Sequence, residues 1–313
     1  MNKSKCSIII PTWNRYKKLF YLIKKLENIV PKIFTDYEIL ICDSKSSDDT
    51  KILKKKFKSK KIKHYQAKFN SISLKRNLGI KKSKYDNLIF FDDDCIPNLK
   101  LLRTFSYFLK KERKNKIYFG KYYIPRNLIH KNNFYYFRNK QNEIAYNTVI
   151  NNRINFTKII SGNMCFNKKI IKKYKLYFNE NINLYGCEDI EWGYRLEKFG
   201  IELILVDAYC IHNELNFNLI NFLKKWQYMG EKSVRLLRLN NYECYKKTNF
   251  FFLENIYRNF FFISKLTEII LYFLVNILKK TDKLKFFRIF IIFKLAIIFS
   301  FMSGINSRKN YKV

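Results

Sequence analysis

Acids are scarce in this chain: 25 Asp+Glu stand against 62 Lys+Arg in 313 residues, a formal net charge of +37. That balance implies attraction to polyanions, meaning phosphate-bearing substrates, anionic membrane or nucleic acid. The lysines are dispersed over most of the chain, so no specific nucleic-acid partner is expected. Closely spaced cysteine pairs are also missing. Cys6, Cys42, Cys95, Cys165, Cys187, Cys210 and Cys244 form no CxxC, which argues against a zinc ribbon and for free buried thiols in a reducing compartment. The apolar run at residues 7–10 is far too short for a secretory signal, so a cytoplasmic protein, peripheral on the cytosolic face of a membrane, is expected. There is no internal repeat, and the one low-complexity stretch is lysine-rich, at 54–63. The length allows a core of about 200–250 residues plus an appendage.

Against this background three acids in a row stand out. Asn87-Leu88-Ile89-Phe90-Phe91 reads as a strand buried on both faces, and Asp92, Asp93 and Asp94 follow it directly. Sheets of the α/β class present ligand-binding groups at the carboxyl ends of their strands. Three adjacent like charges repel, so their proximity needs a cation or hydrogen-bond donors to offset it.

The rest of the first two-thirds alternates strand and helix. Strands are expected at 6–10, 37–42, 62–65, 116–123, 159–166 (interrupted at Gly162) and 201–206, and residues 209–212 end the catalytic part. Helices are expected at 17–29, 49–57, 73–83, 99–111 and 188–199, the last with acids in its first turn and Gly200 as C-cap. Residues 126–155 are polar, aromatic and weakly periodic, and read as a long functional loop. This spacing predicts an α/β fold with a mostly parallel sheet flanked by helices. From about Phe217 the chain changes character. Charged helical segments at 219–239 give way to apolar runs at 250–262, 269–278 and 286–301, the last interrupted by Arg288 and Lys294. A helical, membrane-associating extension is expected, with lysines drawn to an anionic membrane surface. The division expected is a catalytic domain over 1–215 and the extension over 216–313.

Four motifs together resemble family 2 glycosyltransferases of the GT-A fold, over roughly residues 7–214. They are Ile8-Ile9-Ile10-Pro11-Thr12-Trp13-Asn14-Arg15, the polar run from Asp43 to Thr50, the triple aspartate, and Glu188-Asp189 with its helix. In the later half, Gly186-Cys187-Glu188-Asp189 and His212-Asn213-Glu214 look most like the chondroitin-polymerase and galactosyltransferase branch. The resemblance implies a Mn2+- or Mg2+-dependent inverting glycosyltransferase, of hexosyl or N-acetylhexosaminyl groups. Its donor would be a nucleotide-sugar, UDP favoured, and its acceptor a glycan or lipid-linked hydroxyl in surface polysaccharide synthesis. Asp92, Asp94 and His212 would hold the metal, the triplet standing for the family's Asp-x-Asp. Pro11, Thr12, Asn14, Arg15, Asp43, Arg76, Asp92, Asp93, Gly162, Asn163 and Met164 would bind the nucleotide-sugar. Asp189 would be the base, Glu188 would orient the acceptor, and Trp192 would floor the acceptor site. Asp43-Ser44-Lys45 departs from the family's Asp-Asp-Gly. Two other readings fit the residues: a nucleotidyltransferase, and a catalytically dead basic protein that binds membrane.

Overall fold

The computed structural model describes residues 4–307 other than 58, 112–114, 214–217, 260 and 285–287. Glu214, the expected border at 215/216, Phe217 and Phe286 therefore lie outside the described residues. The chain forms two compact units. The first comprises Met1–Tyr123, Ile144–Asn183 and Glu188–Asn213, and the second Ile124–Glu143, Leu184–Cys187 and Glu214–Val313.

One eight-stranded sheet organises the first unit: β1 (Lys5–Thr12), β2 (Asp36–Asp43), β3 (Ile62–Gln66), β4 (Asn87–Phe91), β5 (Cys95–Pro97), β6 (Lys116–Tyr123), β7 (Asn163–Asn167) and β8 (Glu202–His212). Their order is β3-β2-β1-β4-β7-β6-β8-β5. The β1–β2, β1–β4, β2–β3 and β6–β8 pairs are parallel, while β4–β7, β6–β7 and β5–β8 are antiparallel. The sheet is thus mixed with a parallel majority. Ile8, Ile9 and Ile10 and, beside them, Ile39, Leu40 and Ile41 are buried whichever way they point, as unbroken apolar strands require when both faces are covered. The helix α1 (Tyr16–Ile29) lays Leu19, Leu22, Ile23, Leu26 and Ile29 into that core, each burial contributing about 1.5–3 kcal/mol. The helices α2 (Leu53–Phe57), α3 (Ile72–Lys82) and α4 (Leu99–Lys110) follow β2, β3 and β5. Ser71 and Asn98 cap α3 and α4 by accepting from the backbone N–H of Leu74 and Leu101.

Residues 126–155 are not a loop. They fold largely as α5 (Arg126–Lys131) and α6 (Asn133–Asn147). Phe134, Tyr135 and Phe137 of α6 are all buried, so its apolar residues cover several sides and leave no single stripe to read. The strand expected at 159–166 begins only at Asn163. Before it, the Ser161 N–H is bonded to Asp189, and the Gly162 carbonyl accepts from the Asp92 N–H at 2.9 Å. The helices α7 (Lys169–Tyr174) and α8 (Glu188–Lys198) complete the first unit, and Gly200 follows α8 at φ +69.

The second unit is helical: besides α5 and most of α6 it holds α9 (Leu219–Tyr228), α10 (Val234–Asn240), α11 (Tyr242–Lys246), α12 (Asn249–Asn259), α13 (Phe261–Thr281) and α14 (Phe290–Ser307). Its core joins Leu128, Phe134, Phe137, Phe222, Phe293 and Ile297. By length and composition α14 could cross a membrane, with mean hydropathy 1.7 over 18 residues, yet half of that stretch is buried within the protein. A Cβ at Gly304 would lie 1.9 Å from the Gln227 carbonyl oxygen, so α14 passes against backbone there. The neighbouring α13 instead exposes Leu266, Ile269, Tyr272, Phe273 and Ile277. All seven cysteines are free and buried, in line with the sequence.

Candidate active site

The acid triplet sits where β4 ends, and neighbouring strand ends supply its partners. Thr12, last residue of β1, donates from its hydroxyl to Asp93 at 2.8 Å. Arg15, at the entry to α1, reaches both Asp93 Oδ1 and Asp94 Oδ2 at 2.9 Å through one nitrogen. Lys18, one turn further, lies 3.3 Å from Asp94 Oδ2. On the other side β5 pairs with β8 so that Cys95 faces His212, and the Asn213 N–H donates to the Asp94 carbonyl at 2.8 Å. That register brings His212 Nε2 to 3.3 Å from Asp94 Oδ1. Burial pushes Asp93 up to about 6 against the opposing pull of Arg15. Burial works the same way on Asp94, but His212, Arg15 and Lys18 outweigh it and hold that carboxyl well below the usual range.

A second cluster centres on Arg76, in the second turn of α3. One guanidinium nitrogen lies 3.0 Å from Asp189 Oδ1 and 3.2 Å from Glu188 Oε1, and the other 3.4 Å from Asp92 Oδ1. The Arg76 side chain is only 3% exposed. Burial alone would disfavour its charge; Asp189, Asp92 and Glu188 reverse this and fix the cation. Burial also raises Asp92, with Arg76 opposing. Asp189 further accepts from the Ser161 hydroxyl and, at 3.2 Å, from the Ser161 N–H. A Cβ at Gly162 would sit 2.1 Å from the Asp92 carboxyl carbon, so only glycine allows that carboxylate to pack on the backbone there.

A third cluster lies at the ends of β1 and β2. Asp43 accepts from the Ser46 hydroxyl at 2.5 Å and its N–H at 3.1 Å, with His64 Nε2 at 3.3 Å. Asn14 accepts from the Ser47 N–H at 2.7 Å and donates its own N–H to Ser46 Oγ at 2.8 Å. Burial opposes ionisation of Asp43, but the His64 and Ser46 hydrogen bonds still lower its pKa. Lys75 is buried beside these groups, donating to the Thr12 carbonyl at 3.1 Å and to Asn70 at 3.0 Å. Burial lowers its ammonium to about 8 even with Asp93 and Asp43 nearby.

The sequence profile of the family described as Glycosyl transferase family 2 matches residues 7–175. The chain belongs to glycosyl transferase family 2. Among its relatives is the poly(ribitol-phosphate) beta-N-acetylglucosaminyltransferase TarP of Staphylococcus aureus, 31% identical over 185 residues, or 56% of this chain and 52% of TarP. Chondroitin synthase of Escherichia coli is 26% identical over 242 residues, 66% of this chain and 34% of that enzyme. The chain thus spans about half of TarP and a third of chondroitin synthase. In fold it resembles the crystal structure of S. aureus TarS 1-349 in complex with UDP-GlcNAc, with TM-score 0.51 and 18% identity over 75% of this chain and 65% of that one.

Within this family member, the residues singled out in the sequence divide by location. Asp92, Asp93, Asp94, Arg15, Thr12, His212, Glu188 and Asp189 meet at the strand ends just described. Asn14 and Asp43 organise the turn at 44–47, and Pro11 is buried in β1 opposite Cys42. Arg76 does not face open solvent as a nucleotide contact would; it lies between three carboxylates. Trp192 is not an acceptor floor. It is fully buried, donates to the Leu176 carbonyl at 2.8 Å and stacks on Phe178 at 4.3 Å between ring centroids. Met164 is likewise wholly buried within β7, opposite Phe90 and Phe119, and is a core residue rather than a donor contact. Asn163 is buried and donates to the Lys121 carbonyl at 3.0 Å. Glu191 and Arg195 form the expected helix pair at 2.7 Å.

Sequence reasoning passed over Lys18, Ser161, His64 and the burial of Lys75. Lys18 was the most findable, three residues after Arg15 on the same helix face. Among the described residues no group of three or more His, Cys, Asp and Glu side chains is arranged to hold a metal ion. Asp94 and His212 do form a mixed oxygen and nitrogen pair, which suits manganese better than magnesium, and the buried Asp93 and Asp94 carry negative charge that a dication offsets. The donor chemistry therefore fits such a cation, with Asp92 turned toward Arg76.

Proposed function

We propose that this chain is a metal-dependent, inverting glycosyltransferase. It would move a hexosyl or N-acetylhexosaminyl group from a nucleotide-sugar, UDP favoured, to a hydroxyl of a glycan or lipid-linked acceptor in surface polysaccharide synthesis. The observation that carries this reading is the convergence of the acid triplet, His212, Arg15 and the Glu188–Asp189 pair at one edge of the sheet. The names of the relatives support it: TarP is a beta-N-acetylglucosaminyltransferase, and one TarS structure holds UDP-GlcNAc. Residues 1–215 would be the catalytic domain and 216–313 the extension. The exposed apolar stripe of α13, with Lys279 and Lys280 at its end, favours a peripheral position on the anionic cytosolic face of a membrane.

In this reading Asp94 and His212, with Asp92, would hold Mn2+ or Mg2+, which would supply positive charge against that developing on the leaving diphosphate. Arg15, with a side chain 43% exposed, attracts the diphosphate as well. Asp43 fixes Ser46 and, through it, Asn14, giving the base a preformed turn. Asp189 takes the proton from the acceptor hydroxyl as that oxygen bonds to the anomeric carbon and the bond to the diphosphate breaks, on the opposite face. Ser161 and Arg76 aim the carboxylate, and Oδ2 carries only the Ser161 N–H among the described contacts, leaving a lone pair for that proton. Glu188 orients the acceptor.

The test is release of UDP from a panel of UDP-sugars with manganese, against release of pyrophosphate from nucleoside triphosphates. UDP release is expected; pyrophosphate release alone would mark a nucleotidyltransferase and sink the reading. Asp189→Asn should still bind donor but transfer about 10²–10⁴-fold more slowly. Lost donor affinity in that variant would place Asp189 in the donor site instead.

A further inference from the structure

We propose that the first unit carries a second, non-catalytic site that binds an anionic saccharide. A cavity of about 720 Å3 opens among the starts of β6 and β8, the end of α4 and the segment at 148–158, which ends in a 3-10 turn at Phe156–Lys158. Its volume lies in the range of ordinary ligand pockets, about 300–1,000 Å3. Its Glu202 wall lies far from the acid triplet, and its Lys158 wall stands four residues before Gly162, whose carbonyl accepts from the Asp92 N–H. Glu202, on its wall, begins β8 and His212 ends that strand ten residues later, roughly 33 Å away at ~3.3 Å per residue. No residue of the proposed transfer chemistry lines it.

Charge and chemistry name the ligand. The wall carries three cations, Lys116, Arg153 and Lys158, and one acid, Glu202. Glu202 is engaged by Lys116 and by Arg153, each at 3.1 Å. Lys158 has the Thr148 hydroxyl at 2.5 Å and no carboxylate partner among the described residues. The cavity thus has a surplus of positive charge and suits an anion. Asn151, Asn152 and Asn155 add amides that both donate and accept, matching a ligand rich in hydroxyls. Phe108, stacked on Tyr118 at 4.5 Å, supplies an apolar patch of the kind a sugar's C–H face covers. The two rings stack on each other and Tyr118 is 3% exposed, so there is no slot to sandwich a nucleobase. Amides, surplus cations and one apolar patch together describe an acidic or phosphorylated sugar.

The experiment is calorimetric titration of the full chain with galacturonate, tetragalacturonate, glucose 6-phosphate, glucose, inorganic phosphate and AMP. Galacturonate and glucose 6-phosphate should bind and glucose should bind far more weakly. The exposed pair Arg153→Ala/Lys158→Ala should weaken the anionic sugars at least tenfold, with the melting temperature and UDP-sugar turnover unchanged. Lys158→Glu should abolish their binding while leaving that of glucose as it was. Tighter binding of tetragalacturonate assigns the site to a glycan chain, and equal binding to a single sugar; both carry the proposal. It is overturned if neither anionic sugar binds, if binding ignores the substitutions, if phosphate alone binds as well as glucose 6-phosphate, or if only AMP binds. Because binding is read without turnover, a failure of the proposed transferase activity leaves this result standing.

Discussion

Replacing Arg76 with methionine removes the cation that, among the described residues, touches Asp92, Glu188 and Asp189 together. Its nitrogens lie 3.0–3.4 Å from the three carboxylates, and at an effective dielectric of about 20 each such pair is worth roughly 5 kcal/mol before desolvation. Most of that gross attraction only offsets the removal of four charges from water, and Asp92, with a side chain 33% exposed, contributes least. What remains is the penalty for leaving buried acids without a counter-charge, about 3–5 kcal/mol when one partner of a buried pair is deleted. For a domain of this size that is a fall of about 6–20 °C in Tm. Thermal unfolding followed by circular dichroism reads it directly. Arg76→Lys keeps a charge but cannot bridge three acids, so it should recover part of the stability and little of the UDP-sugar turnover. An Arg76→Met protein that melts within a degree or two of the parent would refute the argument, because the acids would then be held apart by something other than this cation.

Asp94→Asn should abolish manganese-dependent donor binding in calorimetry while the sheet stays folded, since the side chain lies beyond the end of β4; unchanged affinity would remove Asp94 from the metal assignment. Glu38 tests pH dependence away from the site. Although burial opposes it, bonds from Lys63, Ser7 and the Lys84 N–H hold this carboxyl below its ordinary 4.5. A depressed folded-state value stabilises above the unfolded one and is lost as pH falls through it, so Glu38→Gln should cost about 1–3 kcal/mol at pH 7 in urea unfolding. That deficit should shrink below pH 4, and a constant one would contradict the assignment. Ile269→Ser/Phe273→Ser on α13 should reduce sedimentation with anionic liposomes and leave the melt unchanged; undiminished binding would place the membrane contact elsewhere. Deleting α14 would be a poorer test, because Phe293, Ala296 and Phe301 are core residues of the second unit.

What could be read in the sequence followed from one physical signal. Unbroken β-branched or aromatic runs ending in polar residues gave β1, β2 and β4 and placed Thr12, Asp43 and the acid triplet at one edge. What escaped was set by pairing over distance. The three-residue β5 has no pattern of its own, yet its register against β8 is what delivers His212 to Asp94. Trp192 and Met164 sit within motifs that resemble the family's, and their burial could not be inferred from motif position, because an aromatic on α8 packs inward as readily as outward. The helix α6 escaped because aromatic burial on several sides erases the stripe that marks an amphipathic helix.

The two arginines of the site differ in a way that bears on how its charge is arranged. Arg76 is sealed beneath Asp92, Glu188 and Asp189, so its charge is a permanent part of the fold. Arg15 bridges Asp93 and Asp94 from a position 43% exposed, beside the half-buried Lys18. A fixed cation beneath the acids cannot follow a ligand, whereas an exposed one can turn toward an incoming diphosphate at the cost of two partly solvated ion pairs. The acids nearest the proposed base are therefore neutralised once and for all by Arg76. Those nearest the proposed metal pair are neutralised by groups that can exchange partners. In a chain with so few acids, this arrangement would separate two tasks of the proposed function at one sheet edge: holding the proposed base in place, and leaving the proposed donor side open to an ionic ligand.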